Sequence, residues 1–84
     1  MSSSGTIALS KIWAMLDHCA PGHSREQRTH NWIIKYLNHT FHRLPVGEHG
    51  ARKDPEIQVG HVKQMVRLFE IMDCARSQID RLRC

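Results

Sequence analysis

Leu9, Ile12, Trp13 and Leu16 fall at i, i+3, i+4 and i+7, the spacing that gathers side chains on one face of a helix. Between Thr6 and Cys19 a first helix is therefore predicted. Ala20-Pro21-Gly22 should stop it, because proline breaks the hydrogen-bond ladder and glycine tolerates the backbone found past a helix end. His23 to Thr29 has no apolar residue and reads as an exposed connection or a weak edge strand. From His30 to Leu37 the chain turns to β-branched and aromatic residues, and after Asn38-His39-Thr40 it runs through Phe41-His42-Arg43-Leu44-Pro45, which together predict a hairpin. Trp32, Ile34 and Tyr36 alternate with Ile33, Lys35 and Leu37, and the alternation alone leaves open which face meets the helices. Val46 to Pro55, with two glycines among charges, describes a surface loop. Beyond it Val62, Met65, Val66, Phe69 and Met72 recur at helical spacing, and Ala75, Ile79 and Leu82 extend the stripe. A second, longer helix is expected from near Gly60. Its end, residues 73–84, reads as a helical extension that either frays or provides a surface for a homodimer.

These elements predict an α+β fold, a small two- or three-stranded antiparallel sheet packed against two helices in one domain spanning 6–84, with 1–5 a disordered end. No internal repeat is apparent. The length, 84 residues with 40% apolar, allows one core and excludes a multidomain enzyme. A net charge of +4 favours a polyanionic partner. Seven histidines, which titrate near neutrality, make proton-transfer chemistry on RNA worth testing. Three cysteines without a CxxC pair argue against a disulfide framework and a zinc ribbon, so reduced thiols and a cytoplasmic location are expected. His18, Cys19, His23 and Cys74 are poorly spaced for a metal, since His18 and Cys19 are adjacent on a helix and point apart, and no metal or cofactor is expected. No apolar run is long enough to span a bilayer, and Met1 to Gly5 lacks the features of a secretion signal.

Three stretches carry a family resemblance: Thr29-His30-Asn31-Trp32-Ile33-Ile34, Leu44-Pro45 with the loop Val46 to Gly50, and Glu56-Ile57-Gln58-Val59-Gly60-His61-Val62-Lys63-Gln64-Met65-Val66. In order and spacing they resemble the HicA (YcfA-like) family of RNA-cleaving toxins, where a Gly-Ser-His-His segment enters an apolar strand, a proline ends the next strand, and the last stretch opens the final helix. Arg28 stands in the place of the glycine and Asn31 in that of the second histidine.

The resemblance implies a double-stranded-RNA-binding-domain-like fold, metal-independent cleavage of messenger RNA, and a HicB-type antitoxin as partner. His30 matches the family's catalytic histidine and would take the proton of a ribose 2′-hydroxyl. Arg28, Lys35 and Arg43 of the hairpin, Arg52 and Lys53 of the loop, and Lys63 of the last helix are the candidate phosphate contacts. His42 is a possible second site. A lone strand-start histidine is otherwise a residue that hydrogen-bonds a loop, and strand aromatics such as Trp32 are usually core. Two alternatives from other classes are a non-catalytic nucleic-acid-binding module and a small interaction domain that dimerises through Ala75, Ile79 and Leu82.

Overall fold

The computed structural model describes residues 5–45 and 55–83. The predicted loop from Val46, with Arg52 and Lys53, lies outside the described residues, as does the predicted disordered end up to Ser4. The fold is α+β. In chain order it comprises β1 (Thr6–Ala8), α1 (Leu9–Cys19), β2 (Ser24–Gln27), β3 (Asn31–Tyr36), β4 (His39–Pro45), β5 (Glu56–Gln58), α2 (Val59–Leu68), α3 (Met72–Gln78) and a closing 3-10 turn, Asp80–Arg83.

Two antiparallel sheets result among the described residues. β2, β3 and β4 form a three-stranded meander, while β1 pairs with β5 across the length of the chain. Ile7 lies opposite Ile57, and both are buried.

This second sheet sits at the centre of an internal repeat that composition does not announce. Fifty positions apart, Ile7 and Ile57, Leu9 and Val59, Ile12 and Val62, Met15 and Met65, and Leu16 and Val66 all point into the core. Each strand runs directly into its helix through a residue of nearly identical backbone, Ala8 at φ −61°, ψ 139° and Gln58 at φ −63°, ψ 139°. Neither helix has a side-chain cap. Instead the first amide of each is satisfied across the pair, Leu9 N–H donating to the Pro55 carbonyl at 2.8 Å and Val59 N–H to the Gly5 carbonyl at 3.1 Å. The expectation of no repeat is thus corrected: the two strand–helix units are related by a quasi-twofold, and each caps the other.

The predicted first helix ends where Pro21-Gly22 said it should, with Gly22 at φ +89°. The predicted single long helix after Gly60, by contrast, is broken in two. Glu70 takes φ +61°, its N–H donates to the Arg67 carbonyl at 3.1 Å, and the Ile71 N–H reaches back to the Val66 carbonyl at 3.0 Å. This pair of bonds is the Schellman arrangement that ends a helix. The turn sends α3 back across the core, where Ala75, Ile79 and Leu82 are all buried. That stripe is part of the chain's own interior and is not available to a second copy.

Cys19, at the end of α1, and Cys74, in α3, are joined by a disulfide with their Cα atoms 5.7 Å apart. The expectation of reduced thiols is corrected accordingly. Wide sequence spacing, here 55 residues, says nothing about spatial distance once α3 folds back on α1.

Candidate nucleic-acid interface

The three-stranded sheet has one covered and one open face. Along β3, Ile34 is fully buried, with Trp32 and Tyr36 packed against the core on the same side, which resolves the ambiguity of the alternation. Trp32 meets Trp13 of α1 edge-on with centroids 4.9 Å apart, and Tyr36 meets Phe69 at 5.7 Å. Asn31, Ile33 and Lys35 point the other way. Cross-strand partners share a face, so Ser24 and Glu26 of β2 and Thr40 of β4 join them on the open side.

β4 departs from simple alternation. Trp32 pairs with Leu44 and Ile34 with Phe41, so two residues of β4, His42 and Arg43, stand opposite the single residue Ile33. This is a β-bulge, and it explains how Phe41 and Leu44, three apart, can both be buried. Its consequence for the surface is that His42 and Arg43 are exposed side by side.

His30 lies in the two-residue turn Thr29-His30 between β2 and β3, closed by the Arg28 N–H donating to the Asn31 carbonyl at 2.8 Å. Its ring is exposed and has no hydrogen-bond partner among the described residues. Arg28 beside it forms an ion pair with Glu26 at 3.0 Å, which offsets the one acidic group on the open face of β2 and β3. Lys35 and Arg43 are exposed and make no ion pair among the described residues. The sheet therefore brings Arg28, Lys35, Arg43 and His42 onto one open surface, with His30 at its end. Lys63 is not among them. It sits on α2, where with Arg81, Val59 and Gly60 it lines an open cavity of about 600 Å³.

A residue the spacing did not single out holds the edge of this surface. Arg25 of β2 faces the helices, its guanidinium 4.3 Å from the Trp13 ring centroid and 2.8 Å from Asp17 Oδ1. Its Nε–H also donates to His23 Nε2 at 3.0 Å, which leaves His23 Nδ1 to donate to the Ala20 carbonyl at 2.9 Å. Arg25 thus braces a strand whose four residues are all exposed. As for the metal site weighed from His18, Cys19, His23 and Cys74, the disulfide consumes both sulfurs, and among the described residues no group of three or more His, Cys, Asp or Glu could hold a metal. No helix among the described residues is long and apolar enough to cross a membrane.

Comparison with protein-family models, with curated proteins and with solved structures gives no match.

Proposed function

We propose that the chain is a HicA-like toxin, a metal-independent endoribonuclease that uses His30 as its general base on messenger RNA. The observation that carries this reading is an exposed imidazole, without a hydrogen-bond partner among the described residues, in a tight turn bordering an open sheet face with Lys35 and Arg43 on it. The neutral ring would take the proton of a ribose 2′-hydroxyl. The 2′-oxygen then attacks the adjacent phosphorus, the bond from phosphorus to the 5′-oxygen breaks, and the departing 5′-oxygen takes a proton from solvent. The products are a 2′,3′-cyclic phosphate and a 5′-hydroxyl end. Lys35 and Arg43 would hold neighbouring phosphates and balance the charge that develops on the scissile one. A HicB-type antitoxin would act by covering this open face. A messenger RNA target implies a cytoplasmic site of action, where the Cys19–Cys74 bond would have to withstand reducing conditions.

A second reading, a non-catalytic RNA-binding module, is favoured by one feature of the same site: no side chain among the described residues orients the His30 ring. One assay separates them. Labelled RNA incubated in excess EDTA should be cut by the parent protein to cyclic-phosphate ends, and His30→Ala should slow this by about a hundredfold or more. Equal cutting by both proteins would remove His30 from the mechanism, and binding without cutting selects the module.

A further inference from the structure

On the reading that the open sheet face meets RNA, the distribution of aromatic side chains determines which form of RNA it can hold. Every Trp, Tyr and Phe ring on the three-stranded sheet points inward. Trp32 is committed to Trp13, Tyr36 to Phe69, and Phe41 is buried. The open face offers Lys35, Arg43 and His42, the Arg28–Glu26 pair, and Ile33 in the middle. Proteins that hold unpaired strands draw affinity from bases stacked on exposed rings, and among the described residues this face offers no Trp, Tyr or Phe ring, only the single small imidazole of His42.

What remains for the face to grip is phosphates and ribose hydroxyls. Because Lys35 and Arg43 are carried on paired strands, their spacing is set by the sheet, with the bulge turning Arg43 outward. A fixed array of cations suits a fixed array of phosphates. An A-form stem supplies one already ordered, whereas an unpaired strand must lose conformational freedom to match it and gains no stacking in return. A regular stem, however, resists attack by its own 2′-oxygens, because its backbone is held away from the in-line geometry the reaction needs. His30 projects from the turn at the end of the face, beyond the paired strands.

We infer that the open face docks the phosphate backbone of an RNA stem, and that the nucleotide presented to His30 is an unpaired one adjoining that stem. Recognition is then by duplex shape and charge, with little dependence on base identity.

The test uses the full chain carrying His30→Ala, so that binding is read without cleavage, and fluorescence anisotropy with three labelled probes: a blunt RNA duplex, an unpaired uridine strand and an unpaired adenosine strand of equal length. The duplex is expected to bind at least threefold more tightly than either strand. Lys35→Ala with Arg43→Ala should weaken duplex binding and lower the slope of log affinity against log salt by about two, one for each phosphate that no longer meets a cation. Both side chains are exposed, so an unchanged melting temperature shows that folding is intact. Tighter binding of the unpaired strands, or a strong preference between uridine and adenosine, would overturn the stem inference while leaving an RNA-binding face in place. Failure to bind any of the three would overturn the functional reading itself.

Discussion

Reduction of the Cys19–Cys74 bond is the perturbation whose size the structure defines best. In the chain-entropy treatment, cross-linking residues 55 apart removes freedom from the unfolded chain worth about 4 kcal/mol at room temperature. A domain of 84 residues has a total stability of roughly 4 to 13 kcal/mol. The bridge therefore accounts for between a third and all of the margin, more than a typical single core side chain. Thermal unfolding followed by circular dichroism should show a midpoint lower by roughly 15 to 30 °C in the presence of a phosphine reductant. The double variant Cys19→Ala with Cys74→Ala should reproduce the reduced protein and become insensitive to the reductant. Thiol titration after denaturation without reductant should count one thiol rather than three, since two of the three cysteines are in the bridge. A count of three would show that the bridge does not form, and a midpoint that moves by less than about 3 °C on reduction would show that it carries little of the stability.

Two further outcomes test how the second half of the chain folds. Leu82 is fully buried, so Leu82→Ala should cost about 2 to 5 kcal/mol in denaturant titration without changing the sedimentation coefficient; loss of association with unaltered stability would instead restore the dimer stripe. Glu70→Gly should raise stability by about 1 kcal/mol, because it relieves a side chain held at positive φ, whereas the same change within a continuous helix would cost about as much, so the sign of the shift in urea midpoint decides between the broken and unbroken helix.

The parts of the fold visible in the sequence are those written in local periodicity. The hairpin is legible because Trp32, Ile34 and Tyr36 recur at every second position of a β-branched and aromatic run, and the two main helices because their apolar residues keep helical spacing on either side of a clear breaker. β2 is not legible. All four of its residues are exposed, and it is held by backbone pairing to β3 and by Arg25 reaching to Trp13 and Asp17, neither of which leaves an apolar trace. The helix break fails for a related reason. The left-handed position that usually signals its end with glycine is occupied by Glu70, and the apolar spacing runs on through it because Ile79 and Leu82 face the same core from the other side of the turn.

The candidate site divides along the same line. That His30 stands at the entry to an apolar strand can be read from the sequence, because a short motif is local. That Arg43 and His42 are presented together is not, since it depends on a bulge defined only by which β4 residues pair with Trp32 and Ile34. The pairing of β1 with β5 is the most remote strand pairing and also the most informative about how the chain stays folded. Each three-residue strand is too short to persist alone, and each of its helices lacks a side-chain cap, yet together they satisfy one another's first amides. The buried Ile7 and Ile57 at the centre of that pair, and the disulfide that fastens α1 to α3, close the helical layer from opposite ends of the chain. The three-stranded sheet lies against that layer through the face that carries Trp32, Ile34 and Tyr36, and its other face, with Lys35 and Arg43 on it and His30 at its border, is not packed against the helices among the described residues.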